Sequence, residues 1–176
     1  MEDDNTSEIV NAPGGMPGDT IMRITRHNEK KKTNVYKPYL LELMYYQFHH
    51  QDKFPDQLKW NLNIPTYGRS YTRPFVKSHK IKDVIYVGIK KVFEVTLAND
   101  YKLIAAEDQQ ILTRKGYIKL CDIKVMDQDI AYSKFSLRLS FSKVKSITPL
   151  NERECYNVMC EDPYHNLAIN RIFIHN

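Results

Sequence analysis

Apolar and polar residues alternate along much of the second half of the chain. This pattern runs through residues 91–97, 135–141 and 144–147, and an apolar, β-branched stretch at 82–89 precedes it. Alternation with a period of two places one side of a strand on a core and the other in solvent. The period slips at Lys143-Val144, which predicts a β-bulge. The sequence therefore predicts a mostly β fold.

Turn-forming residues divide these stretches into separate strands. Gly88 predicts a break within the first apolar stretch, and Pro149 predicts a turn after the last alternating one. Asn99-Asp100 predicts a hairpin turn into residues 101–105.

The first half of the chain contains one stretch with helical spacing. It begins at Pro38, which suits a first helical turn, and continues to about His50. Apolar residues recur on one face of it, at Leu40, Leu43, Met44 and Phe48. We expect one short amphipathic helix here, with adjacent His49 and His50 pointing in different directions rather than forming a metal site.

The residues around this helix predict less regular structure. Ile21, Arg23 and Ile24 suggest a short alternating strand, and the polar residues 28–35, with three consecutive lysines, suggest an exposed connection. Residues 56–74 contain several prolines and predict irregular or short-stranded structure, with Trp60 anchored in the core.

Length and composition favour one compact intracellular domain. The 176 residues, 42% of them hydrophobic, are enough for one core. No long uncharged apolar run and no signal peptide is present, so we expect a cytoplasmic protein without a membrane partner. Cys121, Cys155 and Cys160 form no Cys-x-x-Cys pair, which predicts neither a disulfide scaffold nor a zinc site.

The net charge of +5 comes from 26 basic and 21 acidic residues scattered along the chain. We interpret it as a solvated basic surface and do not expect nucleic acid as a partner. A non-catalytic module that binds nucleic acid through this surface and the tyrosine-rich residues 36–71 remains an alternative.

The chain ends in a stretch whose side chains can take part in a reaction, CYNVMCEDPYHNLAINRIFIHN at residues 155–176. The side-chain amide of Asn176 can attack its own main-chain carbonyl, close a succinimide ring and cut the peptide bond that follows. This reaction speeds up when the backbone is fixed and donors lie near the reacting atoms. His175 and His165 are suited to deliver a proton to the leaving amine. Alternatively, residues 157–167 and 169–174 form a plain hairpin that ends in polar residues.

These residues resemble the C-terminal splicing motifs of inteins and the wider hedgehog-intein (Hint) family. Tyr156-Asn157-Val158, His165-Asn166-Leu167 and the run from Ile172 to Asn176 match the three parts of the family pattern. The resemblance implies protein splicing and an all-β, Hint-type horseshoe of two pseudo-symmetric halves, here with one short helix inserted. It also implies that both ends of the domain meet in a central cleft.

The N-terminal residues carry the matching first motif. Residues 1–14 are acidic and turn-prone, which suggests a flank, and Gly15-Met16-Pro17-Gly18-Asp19-Thr20 resembles the family's Cys or Ser, two variable residues and Gly-Asp-Thr. The splicing domain would then be residues 15–176. Gly15 offers no thiol or hydroxyl for the first acyl transfer. An engineered substitution, a member that bypasses this step and an accidental match are all open explanations.

The family's second motif matches only in part. The resemblance places Ile111-Leu112-Thr113, Gly116 and Tyr117 in register, but Ala106 stands for the usual threonine and Gln109 for the usual histidine. Glutamine donates a hydrogen bond but does not transfer a proton at neutral pH. Glu107 and Asp108 lie nearby, although we expect them to be exposed turn residues.

Further members of the candidate site follow from the same resemblance. Val125-Met126-Asp127 matches the family's Val-Gly-Asp, which makes Asp127 a candidate site residue. Cys155 and Cys160 are alternative nucleophiles, although buried structural cysteine is the simpler interpretation.

The expected activity is single-turnover self-processing without a metal or other cofactor. The short stretch between Thr113 and Pro149 leaves no room for a homing endonuclease, so the resemblance implies a mini-intein. Its partners would be the flanking extein segments. The lysine run suits a break point, so a split intein with a complementary half is an alternative to a plain surface loop. A Hint domain that only cleaves itself is a further alternative.

Overall fold

A computed structural model describes residues 12–28, 33–50, 52–53, 61–69, 74–133, 139–161 and 165–175 of the chain. Within these ranges lie twelve strands, one α-helix and one turn of 3₁₀ helix at Leu120–Asp122. The bounds of the larger elements are, in chain order, β1 (Met16–Pro17), β2 (Ile21–Asn28), β3 (Thr33–Leu40), α1 (Leu41–His49), β4 (Asn61–Arg69), β5 (Pro74–Leu97), β6 (Lys102–Ala106), β7 (Gln110–Thr113), β8 (Gly116–Lys119), β9 (Asp129–Ser133), β10 (Leu139–Cys160), β11 (Asn166–Ile169) and β12 (Ile172–His175). The prediction of an all-β fold with one short helix is confirmed.

Two long antiparallel strands, β5 and β10, form the centre of the fold. Their pairing runs from Leu97 opposite Val144 to Ile81 opposite Cys160. The strands are ordered β11-β12-β7-β9-β10-β5-β4-β2-β3, with β1 on β10, β6 on β5 and β8 on β7. The strands that carry the two ends of the chain therefore attach, directly or through β7 and β9, to the same pair of long strands.

The core follows this arrangement. A main cluster collects fully buried side chains from α1 and most strands, among them Met22, Met44 and Leu103. A second cluster under β12 surrounds Phe173. A third and smaller cluster, formed by Val87, Val92 and Cys155, packs against the N-terminal flank at Ala12.

The helix is shorter than predicted. Pro38 lies in β3 opposite Arg23, not in a first helical turn. Because β3 is the last strand in the sheet order, Pro38 lies on an edge strand, where proline is tolerated. Met44 is fully buried as expected, but Leu43 is 50% exposed and Leu41 takes its place in the core.

Two predicted strand breaks are also wrong. β5 continues through Gly88, which adopts a φ of +95°, and β10 continues through Pro149. The pairing of β5 with β10 accommodates both residues at register shifts.

The bulge predicted near Lys143-Val144 is confirmed by the shift between Val144 and Ser146. The turn at Asn99-Asp100 and its hairpin are confirmed as well.

Several predictions concern the N-terminal strands and residues outside the described ranges. Ile21 is half exposed, and among residues 21–24 of β2 the buried ones are Met22 and Ile24. Residues 33–35 belong to β3 and residues 61–69 to β4, so both segments are more regular than predicted. The lysines 30–32, Trp60 and residues 135–137 lie outside the described residues.

In the described part of the chain, no helix is both long and apolar enough to cross a bilayer.

The burial of the helix gives a direct test of this core. Met44→Ala should lower the free energy of unfolding by about 2–5 kcal/mol, because it leaves a cavity beneath α1. Leu43→Ala is the matched control on the same helix and should change it by less than about 0.5 kcal/mol at a half-exposed position. Denaturant unfolding of both variants measures the difference. Equal losses would contradict the helix orientation described here.

Candidate active site

The candidate active site is an open cleft where the N-terminal flank meets the end of β12. Its volume is about 410 Å³, and its lining includes residues from the flank, β5, β7, β10 and β12. Met16 pairs with Tyr156 of β10, and Ile174 pairs with Ile111 of β7. These pairings bring Gly15 and His175 to either side of Gln109.

Gln109 connects the two ends of the domain. Its side chain is only 2% exposed. Its Oε1 accepts a hydrogen bond of 2.9 Å from the N–H of Gly15, and its Nε2 donates one of 2.8 Å to the carbonyl of His175. The orientation of the amide follows from these partners, since an N–H donates and a carbonyl accepts. One side-chain amide thus contacts the main chain of both Gly15 and His175.

Gly15 occupies a space that has no room for a side chain. Its φ is +126°, a conformation that residues with a Cβ rarely adopt. A Cβ atom built on Gly15 would lie 2.7 Å from Cγ2 of Val87 and 3.0 Å from Cβ of Cys155. A nucleophile at position 15 therefore requires both a change of backbone conformation and a shift of Val87.

A bulge in β5 places Val87 against Gly15. Cys155 pairs with Gly88, but the next pair is Tyr156 with Tyr86, which leaves Val87 as the additional residue of β5. Such bulges redirect side chains next to functional sites. Val87 is 2% exposed and packs with Cys155 behind the flank.

The flank itself is held by its main chain. Lys90 Nζ donates to the carbonyl of Ala12 at 2.8 Å, and Asn157 Nδ2 donates to the carbonyl of Pro13 at 3.0 Å. The carbonyl of Gly15 accepts a hydrogen bond of 2.8 Å from the N–H of Ala106 in β6. Main-chain contacts position the flank without selecting its side chains.

The sequence alone does not identify these residues as anchors of the flank. Asn157 was noted only as part of a motif, and Ala106 only as a departure from one. Lys90 lies in a polar stretch and carries no local signal. Its role arises because β5 and β10 bring it beside residues 78 positions upstream.

The two histidines of the C-terminal motifs lie close together. Asn166 pairs with His175 across β11 and β12, so His165, immediately before β11, comes near His175. Their ring centroids are 6.3 Å apart. The ring of Tyr117 meets His175 edge-on, with centroids 5.0 Å apart. Asn176, the predicted reacting residue, lies outside the described residues.

Asp127 occupies a different part of the molecule. It is exposed in the turn before β9, where its carboxylate accepts a hydrogen bond from Gln128 and its carbonyl accepts one from Lys143. The structure therefore does not bring Asp127 into contact with the cleft residues described above. Asp108, by contrast, lines the cleft and pairs with Lys90 at 3.3 Å.

Cys155 lies beside Gly15 but is poorly suited to act as a nucleophile. Its Sγ donates to the carbonyl of Arg153 at 3.4 Å, and burial raises the pKa of the thiol to about 11. A thiol attacks as its thiolate. Neutral, buried Cys155 therefore agrees with a structural role. Within the described ranges, no group of three or more His, Cys, Asp or Glu side chains is arranged to hold a metal ion.

Several solved inteins share this fold. A crystal structure of a DnaB intein from Synechocystis sp. PCC 6803 has a TM-score of 0.68 at 18% identity, covering 92% of this chain and 97% of that one. The VidaL intein has a TM-score of 0.69 at 15% identity, with 93% and 97% covered. The DnaX mini intein from Spirulina platensis has a TM-score of 0.62 at 15% identity, with 92% and 99% covered.

These likenesses confirm the predicted Hint-type fold. At such low identity they establish the fold alone. No protein-family model matches the sequence, and neither does any curated protein.

The tight space at Gly15 predicts a specific stability effect. Gly15→Ala should lower the free energy of unfolding by about 2–4 kcal/mol, from backbone strain and overlap with Val87. In a Val87→Ala background the additional cost of Gly15→Ala should be smaller, because Cγ2 of Val87 is gone. Gly116→Ala is the strain control, since Gly116 has a φ of +105° and open space around its Cβ position. Equal costs of Gly15→Ala in both backgrounds would exclude the overlap.

The raised pKa of Cys155 predicts its reactivity. At pH 8 about one thiol in a thousand is ionised when the pKa is about 11, so brief iodoacetamide treatment should modify exposed Cys121 and spare Cys155. The unfolded thiol ionises first as pH rises, so folding stability should fall between about pH 9 and 11, and Cys155→Ala should remove that part of the fall. Peptide mass analysis and pH-dependent unfolding measure the two effects. Rapid labelling of Cys155 in the native protein would contradict its burial.

Proposed function

We propose that this chain, which has the fold of inteins, is a self-processing domain for protein splicing. The observation that carries the proposal is the Gln109 bridge, in which one amide contacts both Gly15 and the carbonyl before Asn176. Splicing joins the segments on either side of the domain, so their junctions must lie within bonding reach. The proposed domain comprises residues 15–176, and residues 1–14 belong to the upstream extein or flank.

The downstream cleavage uses Asn176. Its side-chain nitrogen attacks its own carbonyl carbon, a C–N bond forms in the succinimide, and the bond to the following residue breaks. His175 supplies the proton that the departing amine needs, and His165 orients or activates the Asn176 amide. The two imidazole rings lie 6.3 Å apart by their centroids, which supports a position for both near the same reacting residue. No step requires a metal or cofactor.

The upstream step is incomplete in the chain as it stands. A Cys or Ser at position 15 would attack the carbonyl of Gly14 and take the acyl group, and the first residue of the downstream segment would then accept it. Gly15 has no such group, and Gln109 does not protonate a leaving amine. The proposal therefore expects the first step to be blocked and cleavage after Asn176 to occur without ligation, whereas a chain that bypasses this step would give ligated product.

The proposed partners are the flanking segments of a host protein, and the domain would be found wherever that host resides, which we take to be intracellular. A complementary half, with a break at the lysine run 30–32, remains the alternative to a continuous domain. The reaction would occur once per molecule rather than with turnover.

A Hint domain that only cleaves itself is a second candidate. The observation that favours it is the combination of Gly15 with Gln109, because both upstream catalytic positions lack reactive groups. The two candidates differ in one product. A cleaving domain gives no ligated flanks even when Cys stands at position 15.

Intact-mass analysis of a fusion tests the proposal. The fusion carries a folded reporter that begins with Cys directly after Asn176. The unchanged chain is compared with the variants Gly15→Cys, Gly15→Ser and Asn176→Ala. We expect the present chain to release the reporter and to leave a C-terminal succinimide. Gly15→Cys, combined with Val87→Ala to make room, should also give ligated flanks. Asn176→Ala should abolish release.

Other outcomes have definite meanings. Ligated product from the unchanged Gly15 chain would show a route that bypasses the first nucleophile. Release without ligation in every active variant would identify a domain that only cleaves. Fusions that stay uncut under reducing conditions, with no effect of Asn176→Ala, would exclude self-processing.

A further inference from the structure

We propose that Gln109 is a specificity-determining and positioning residue that selects glycine at position 14 and links that choice to the backbone before Asn176. The inference rests on the proposed function for its cleavage readout. It concerns the residue that ends the upstream segment, and thus the class of segment that the domain accepts.

Gly14 lies directly against the Gln109 amide. It is buried, with a φ of +78°. A Cβ built on Gly14 would lie 2.6 Å from Oε1 and 3.1 Å from Cδ of Gln109. Any other residue at this position therefore overlaps the amide that holds the upstream junction.

Moving Gln109 to relieve the overlap breaks its contacts. The amide is the end of a flexible side chain, but it is fixed by hydrogen bonds to the N–H of Gly15 and the carbonyls of His175 and Gln110. A side chain at position 14 thus displaces the donor from the carbonyl of His175. A substitution at position 14 therefore changes the hydrogen bond at the His175 carbonyl through the Gln109 amide.

The other flank contacts do not select in this way. Lys90 and Asn157 bind the carbonyls of Ala12 and Pro13, which every residue type provides. Among the described flank residues 12–14, the overlap that selects glycine lies at position 14. The preferred upstream segment is one that ends in glycine, with positions 12 and 13 less restricted.

A double-mutant cycle on reporter release tests the link. The full chain carries a reporter after Asn176, and the variants are Gly14→Ala, Gln109→Ala and the two together. Loss of one neutral hydrogen bond at the His175 carbonyl should slow release by about 5- to 10-fold in each single variant. The double variant should be within about 2-fold of Gln109→Ala, because the contact is already absent. Multiplicative effects would overturn the proposal.

Two matched controls separate this effect from general perturbation. Gly116→Ala introduces a side chain at a similar positive φ in open space, and Gln128→Ala removes an amide from an exposed turn. Both should leave the release rate within about 2-fold of the unchanged chain. A slowing by Gly116→Ala equal to that by Gly14→Ala would assign the effect to backbone strain alone and overturn the inference.

An NMR measurement tests the link without cleavage. In a chain carrying Asn176→Ala, Gly14→Ala should shift the carbonyl ¹³C resonance of His175 in the same direction as Gln109→Ala and speed hydrogen exchange at the Gly15 amide. These shifts with no cleavage in any fusion would uphold the role of Gln109 while excluding the proposed function. An unchanged His175 carbonyl in Gly14→Ala would overturn the inference.

Discussion

The fold depends on the antiparallel pairing of β5 with β10. This pairing is long enough to carry strands on both sides, and it contains several register shifts. Each shift changes the direction in which side chains point. The shift at Gly88 places Val87 behind Gly15, and Lys90 follows two residues later on the same strand, where it binds the flank. The cleft is thus a consequence of irregularities in one strand pair.

A glutamine at the centre of the cleft gives it a particular chemistry. An imidazole at this position could gain and lose a proton during a reaction, whereas an amide has a fixed donor and a fixed acceptor. Gln109 uses its acceptor on Gly15 and its donor on His175. It is therefore suited to holding the intact upstream peptide in place and to ordering the downstream end. The arrangement is compatible with the proposal that cleavage after Asn176 proceeds without an upstream acyl transfer.

The sequence predicted the parts of the structure that depend on local pattern. Alternating residues identified strands because burial on one face of a sheet is a local property. The terminal His and Asn residues predicted a reactive centre because these side chains are capable of proton transfer and cyclisation, but the geometry that the reaction needs is not visible in the sequence. Pro38, Gly88 and Pro149 were misinterpreted because strand pairing overrode their local preference. Lys90 and Asn157 were missed because their partners lie 78 and 144 residues away in the sequence.

The Gln109 bridge also has a consequence for timing. It joins residues separated by 94 positions on one side and 66 on the other. Contacts between distant residues require large loops to close, and folds rich in such contacts form slowly. The contacts that bring Gly15 and His175 together therefore depend on the pairing of the long strands. Under the proposed self-processing function, a nascent or partly folded chain would have no assembled centre with which to cut itself, so cleavage would follow folding.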